Sequence, residues 1–274
     1  MGQKFISGRN NAFIAEICKL KQKKHRNRTG LFYVEGTKLF NEVLCSGYRN
    51  KIKYVIYAGD GDPGVPQLPP SLRDTPLASE GGFEIITVTH EVYKKITDEE
   101  AFEGIMCVIE KPTDENAALL YNKPVIILCS VTDPGNVGTI IRTANAICDV
   151  EIILSEDCAD IYSSKTQRAA MGAIFRQNIK ISKNMREDIA NLKKNGYNIF
   201  AAHLDKNSRS IDEVEFNNKT AVIFGNEGSG LDDDIVEICD EKMIIPINSD
   251  SESLNVSVVA GIVLWEMRKN LYLL

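Results

Sequence analysis

The chain has one tryptophan, three histidines and no two cysteines at C-x-x-C spacing. Its seven cysteines (18, 45, 107, 129, 148, 158, 239) are scattered, odd in number and mostly set in apolar-rich runs. That pattern excludes a zinc ribbon and a disulfide framework and fits reduced thiols in a core. His25, His90 and His203 share no metal-ligand or triad spacing, so no metal is expected. Apolar runs are short, such as "VIILC" and "GIVLW", far below the ~20 residues of a membrane-spanning helix. The start, "MGQKFISGRNNAF", is polar and has no apolar leader core. Internal repeats and low-complexity tracts are missing as well. The expectation is a cytoplasmic α/β protein of about two domains in 274 residues.

Charge is short in one place only. The net charge is −6, which by itself argues against a nucleic-acid partner. Residues 1–54, however, carry twelve Lys/Arg against three acids, and the remainder twenty against thirty-five. The densest block, "KLKQKKHRNR" at 19–28, holds Lys21, Lys23, Lys24, Arg26 and Arg28. A second stretch, 161–186, has Lys165, Arg168, Arg176, Lys180, Lys183 and Arg186 without one acid. Either patch alone reads as a solvated helix face. Two of them in an acidic chain point to a polyanionic partner, RNA or DNA.

Periodicity predicts a helix over about 10–24, from Phe13, Ile14, Ile17 and Leu20. A strand "LFYVEG", a helix "TKLFNEVLCSG", strands "IKYVIY" and "FEIITV", a helix near 90–97 and a strand "IMCVIE" complete a first α/β domain, 1–110. The loop 59–82 holds five of the nine prolines and reads as mobile surface. Residues 111–122 read as a linker. From 123 to 274, strands are expected at "VIILCS", "VEIILS", "YNIFAA", "TAVIFG" and "KMIIPI". Helices are expected near 137–148, 164–174, 185–195, 231–239 and 254–269. Short Val/Ile-rich runs between helices predict a mostly parallel sheet covered on both faces.

The glycine-rich "FGNEGSGL", 224–231, comes after the fourth of these expected strands. It spells G-x-x-G-x-G, lacks the Lys-Ser/Thr of a P-loop, and contains Glu227, which would repel phosphate. A GTPase-like domain is therefore disfavoured. A plain strand-to-helix turn would explain the glycines but not Asn226-Glu227 among them. Two further stretches stand out. "DPGNVGTIIRTANA", 133–146, opens a helix with Asn136 and carries Arg142 about two turns later. "IPINSDSESLNVSVVAGIVLWE", 245–266, sets Ser253-Leu254-Asn255 before an apolar helix. Asn and Ser are ordinary helix caps, so each stretch alone has a bland reading.

In this order and spacing, the three stretches resemble the motifs of the SpoU (TrmH-type) RNA 2′-O-ribose methyltransferases of the SPOUT class. The resemblance covers 122–274, and "RNRTGLFYVEGTKLFNEVL" looks like the start of that family's RNA-substrate-binding domain. It implies a C-terminal trefoil-knotted domain with S-adenosylmethionine bent inside the knot. Glycines let a backbone approach a ligand closely. Gly225, Asn226 and Gly230 would line the donor, and Ile245, Ile247 and Leu254 would enclose its adenine. The family's catalytic pattern falls on Arg142, Asn136, Glu227, Ser253 and Asn255. Arg142 is assigned in the family to activation of the hydroxyl. A guanidinium resists deprotonation, so a phosphate clamp and stabiliser of the developing alkoxide is the preferred role. Asn136 and Glu227 would orient Arg142 and the ribose, and Ser253 and Asn255 would bond around the target nucleotide and cap the last helix. The resemblance further implies a homodimer through that helix and a substrate in large-subunit ribosomal RNA rather than transfer RNA. A non-catalytic RNA-binding protein that kept the knot is the alternative, and loss of Arg142 or Asn255 would have favoured it.

Overall fold

The computed structural model describes residues 4–59, 82–112, 119–248, 250 and 253–272. Nearly all of the expected proline-rich loop and half of the expected linker, 113–118, lie outside these residues. Internal contacts divide the chain into two units, residues 1–113 with 162–167, and residues 114–161 with 168–274.

The first unit has five strands: β1 (Lys4–Ile6), β2 (Leu31–Glu35), β3 (Ile52–Ala58), β4 (Glu84–Val88) and β5 (Ile105–Glu110). They lie in the order β1-β4-β3-β5-β2. β5 is antiparallel to both neighbours, with Phe32 opposite Ile109 and Ile56 opposite Met106. Helices α1 (Ala12–Lys19) and α4 (His90–Ile96) bury Ile14, Ile17, Val92, Tyr93 and Ile96 among Tyr33, Ile56, Met106 and Val108. α2 (Lys23–Thr29) and α3 (Thr37–Leu44) belong to the same unit.

The single helix expected over 10–24 is two helices. α1 stops at Lys19 because the apolar stripe ends at Leu20, and the chain turns before α2 begins. α2, "KKHRNRT", has no apolar residue. A buried arginine holds it instead. Arg26 is 3% exposed and its Nη1 donates to the Leu20 and Lys21 carbonyls, both at 2.8 Å. It thereby satisfies backbone acceptors left over where α1 ends. Buried His25 lies between Glu16, 3.2 Å from Nε2, and Arg28, whose Nη2 is 3.0 Å from Nδ1.

Residues 162–167, far along the chain, pack within this first unit. Gln167 is buried and its Nε2 donates to the carbonyls of Tyr33 and Tyr162 at 2.9 Å. The Tyr162 ring lies 4.5 Å from that of Phe32 and beneath the Lys111 ammonium.

The second unit is a seven-stranded, wholly parallel sheet. Its strands are β6 (Val125–Leu128), β7 (Glu151–Ser155), β8 (Ile179–Ser182), β9 (Asn198–Ala202), β10 (Arg209–Ser210), β11 (Thr220–Phe224) and β12 (Glu241–Ile244), ordered β10-β12-β9-β11-β6-β7-β8. β6 and β11 are buried at every residue, as strands covered on both faces should be. β8 and β10 were not expected: β8 places a lysine between its isoleucines, and β10 is two residues long. The glycine loop thus follows the sixth strand of this sheet, not the fourth.

Helices α5 (Pro134–Ile147), α6 (Ser164–Ala170), α7 (Met185–Lys194), α8 (Asp233–Val236) and α9 (Val256–Tyr272) come from the second half of the chain. α6 and α8 are shorter than expected. Asp133 caps α5, its Oδ1 accepting from Asn136 N at 2.8 Å, and Pro134 fills the first helical position. α9 packs on α5, where Gly261 brings its backbone against Thr143 and Ala260, Val263, Leu264 and Met267 are buried.

Candidate active site

In an open parallel sheet, ligands bind beyond the carboxyl ends of the strands, where strand order reverses direction. From β6 the chain runs outward through β7 and β8, then returns to β9 on the other side, and β11 fills the gap between β9 and β6. The stretches that follow β6, β11 and β12, at 129–133, 225–231 and 245–255, carry the three motifs.

One line of hydrogen bonds joins those motifs. Asn255 Nδ2 donates to Asn136 Oδ1 at 3.0 Å, and Asn136 Nδ2 donates to Glu227 Oε1 at 2.9 Å. The Asp133 amide also donates to Glu227 Oε1, at 3.4 Å. Each amide gives its nitrogen to the next oxygen, so the line has a fixed direction that ends on a carboxylate. At its other end Asn255 Oδ1 accepts from the Ser257 amide (2.8 Å) and hydroxyl (2.6 Å), which caps α9. Partial burial of Glu227 works to raise its carboxyl pKa, but the bonds from Asn136 and the surrounding amides outweigh it and hold the group below the usual value. Glu227 is thus an anion at neutral pH, acting as an acceptor.

Arg142 lies on α5 and is exposed, with no hydrogen bond or ion pair among the described residues. An exposed, unpaired guanidinium on the helix that carries Asn136 is free to take an anion in a planar fork. Ser253 is exposed and makes no hydrogen bond among the described residues. Asn255, not Ser253, caps the helix.

The glycine loop is a closed turn. Asn226 and Gly230 exchange both backbone bonds, at 2.8 and 3.0 Å. Asn226 Oδ1 accepts from the amides of Gly228 (2.9 Å) and Ser229 (3.1 Å), and its Nδ2 donates to the Ser130 carbonyl at 2.8 Å. A Cβ on Gly225 would sit 2.3 Å from Gly230 C and O and 2.5 Å from Leu231 N. The loop's own closure therefore requires this glycine. Gly230 has φ of +74°, which a side chain would strain. Of the residues expected to enclose adenine, Ile245 is half-buried, while Ile247 and Leu254 are 38% and 37% exposed. Two uncovered apolar side chains after β12 suit the apolar faces of a flat heterocycle.

Sequence reading missed Asp133, Ser130 and Ser257. The Asp-Pro pair at a helix start is a readable cap signal. The bond from Asn226 to Ser130 spans 96 positions and has no local signature. Cys129 and Cys158 flank the site but are buried, and burial pushes the Cys129 thiol up to about 12, so they are thiols and not nucleophiles. His203 is a loop residue whose amide donates to the Met243 carbonyl and whose carbonyl accepts from Ser208. Among the described residues, no cluster of His, Cys, Asp and Glu could hold a metal ion.

The expected RNA-facing cations fall into different settings. Arg26 is a correction: it is buried and spent on backbone carbonyls, so it is unavailable to phosphate. Lys21 is committed as well, 3.0 Å from Asp98 and donating to the Thr97 carbonyl at 2.7 Å. Lys23, Lys24 and Arg28 are exposed in the first unit. On α6, Lys165 is exposed and Arg168 half-buried. Arg176, in the second unit, is exposed and its Nε donates to Asn145 Oδ1 at 3.3 Å. Outside the site, a cleft of about 420 Å³ opens near the amino ends of β6 and β7, lined by Lys123, Asn145, Glu151 and Asn178 among others.

Residues 123–265 match the SpoU rRNA methylase family, and residues 11–107 match an MRM3-like substrate binding domain. The chain is 29% identical to the 23S rRNA (guanosine(2553)-2′-O)-methyltransferase RlmP of Bacillus subtilis, covering 97% of this chain and 99% of that one. It is 26% identical over 201 residues to the 23S rRNA (guanosine-2′-O-)-methyltransferase RlmB of Acinetobacter baylyi, covering 69% of this chain and 80% of that one. Among solved structures, an AdoMet-bound rRNA methyltransferase from Sinorhizobium meliloti superposes with a TM-score of 0.82 at 29% identity, covering 97% of this chain and 98% of the other.

Proposed function

Since the chain belongs to the SpoU rRNA methylase family, we propose that it methylates a ribose 2′-hydroxyl in ribosomal RNA, with S-adenosylmethionine as donor. The observation that carries this reading is the Asn255–Asn136–Glu227 line, which draws three distant motifs together, Asn136 sharing its helix with the unpaired Arg142. Large-subunit RNA is the substrate named for RlmP and RlmB, and it is the substrate class proposed here.

The donor, when bound, supplies an electrophilic methyl group on a sulfonium. The 225–231 turn with Ile247 and Leu254 would hold it. Arg142 would grip the phosphate next to the target ribose and stabilise negative charge as the 2′-oxygen loses its proton to that phosphate or to water. Asn136, fixed between Asn255 and Glu227, would keep α5 in register with the donor loop, so that positioning supplies much of the rate.

Three finer points belong to the same proposal. The all-parallel order β12-β9-β11-β6, with the chain crossing back between strands already laid down, supports a knotted path at the donor loops. Val258 and Trp265 leave apolar surface on α9, 49% and 52% exposed, which supports a homodimer through that helix. A ribosomal RNA substrate and seven unpaired thiols fit the reducing cytoplasm. Residues 1–110, most of the first unit, would be the RNA-substrate-binding domain, joined through 111–122 to a catalytic domain, 123–274.

The test is transfer of labelled methyl from S-adenosylmethionine to purified ribosomal RNAs and transfer RNA, with the modified ribose mapped by primer extension. The expected product is one 2′-O-methyl nucleotide in large-subunit RNA. Donor binding without transfer to any RNA would favour the non-catalytic alternative.

A further inference from the structure

Ser130 lies in the loop after β6, and its backbone is left-handed, with φ of +55°. A non-glycine residue holds that conformation only when its surroundings fix it. Here the Ser130 amide donates to Ser155 Oγ at 2.9 Å, and its hydroxyl donates to Asp157 Oδ2 at 2.5 Å. The Ser155 hydroxyl donates to the other oxygen, Asp157 Oδ1. One carboxylate therefore gathers two serines from the ends of two adjacent strands. The Ser130 carbonyl, aimed by this arrangement, accepts Asn226 Nδ2 at 2.8 Å. Asn226 Oδ1 in turn ties down the amides of Gly228 and Ser229.

We propose that Asp157 is a positioning residue for the donor loop, holding Ser130 left-handed through the two serine hydroxyls so that the Ser130 carbonyl anchors Asn226 and the 226–230 turn. The inference rests on the reading of that turn as the methyl-donor site. Asp157 is exposed and acts on the turn through Ser130 and Asn226. Its effect is expected first on donor binding, because the turn it anchors is the one read as the donor site.

The test uses the full chain, with calorimetric binding of S-adenosylhomocysteine and steady-state kinetics with S-adenosylmethionine. Asp157→Ala should weaken product binding and raise the Michaelis constant for the donor by about tenfold, changing kcat at saturating donor much less. Asp157→Asn keeps one acceptor oxygen and should fall between. The decisive variant is Ser130→Gly in the Asp157→Ala background. Glycine adopts positive φ freely, so it should recover part of the lost affinity although it removes a further hydroxyl. An Asp157→Ala protein with unchanged affinity, or a double variant with no recovery, would overturn the inference. If the unmodified chain itself fails to bind S-adenosylhomocysteine, the donor-site reading fails and this inference falls with it, whereas binding by the unmodified chain with no loss in Asp157→Ala overturns this inference alone.

Discussion

Gly225→Ala adds one methyl group where the backbone leaves no room for it. Carbon atoms in contact normally stand about 3.5–4.0 Å apart, whereas the new Cβ would lie 2.3 Å from Gly230 C and O. The atoms it meets are backbone, so no rotamer change relieves the overlap. The turn must open, breaking the Asn226–Gly230 bonds at 2.8 and 3.0 Å. Two net hydrogen bonds at about 1 kcal/mol each give about 2 kcal/mol. Residual crowding adds about 1–3 kcal/mol. A loss of about 3–5 kcal/mol in the closed turn corresponds to a donor affinity at least about 100-fold weaker, at 1.4 kcal/mol per tenfold.

The turn is exposed, so most of the cost is local. Global stability should fall only by the opening term, roughly 4–8 °C in melting midpoint. Gly225→Val should abolish measurable binding. Gly228→Ala is the control, because its Cβ would meet only Asn226 Oδ1, at an ordinary 3.5 Å, and the melting midpoint should not move. Calorimetry with S-adenosylhomocysteine and a melting scan read both quantities. A Gly225→Ala protein that binds within threefold of the unmodified chain, with the same midpoint, would refute the claim that the turn's closure depends on this glycine.

Arg142→Ala should lower kcat for methyl transfer by about 10²–10³, the usual cost of losing a group that stabilises an oxyanion, with donor affinity within a few-fold; Arg142→Lys should also be poor, because a point charge cannot span phosphate and alkoxide. Turnover near normal in the alanine variant would remove Arg142 from the chemistry. Replacing Lys23, Lys24 and Arg28 by Gln should reduce the slope of log RNA affinity against log salt by about 2, for three contacts at ~0.7–0.9 each. Arg26→Gln should instead lower the melting midpoint and leave the slope alone, and the opposite pattern would restore Arg26 as a phosphate ligand. Glu35 is buried and its carboxyl pKa is raised, burial outweighing the bonds from Thr97 and Asp98. A raised folded pKa contributes stability below the unfolded value and loses it as pH rises through the folded one. Glu35→Gln should therefore raise the melting midpoint at pH 7.5, by a margin that shrinks towards pH 4. A pH-independent or negative offset in scans across that range would contradict the burial argument.

What could be read from the residues divides along a physical line. Val125–Leu128 and Thr220–Phe224 were legible as strands because burial on both faces demands unbroken apolar runs. Ile179–Ser182 was not, since a half-buried strand with a lysine in it has no such run. The overlong helix at 10–24 has the same root. Charges after Leu20 read as one solvated face, and composition cannot see that the spent end of α1 needs a donor, which Arg26 provides from inside. At the site, Asn136, Glu227 and Asn255 were legible by kind, because each sits in a recognisable motif. Their direct bonds were not, because they span 91 and 119 positions and leave no periodic trace. The same holds for Ser130, whose left-handed backbone depends on a serine 25 residues and an aspartate 27 residues further on. A motif therefore names the groups proposed to meet the ligand, while the groups that hold them in place come from wherever the sheet brings its strand ends together. Substitutions such as Asp157→Ala, outside every motif, are accordingly where sequence alone would forecast no effect and the structure forecasts one.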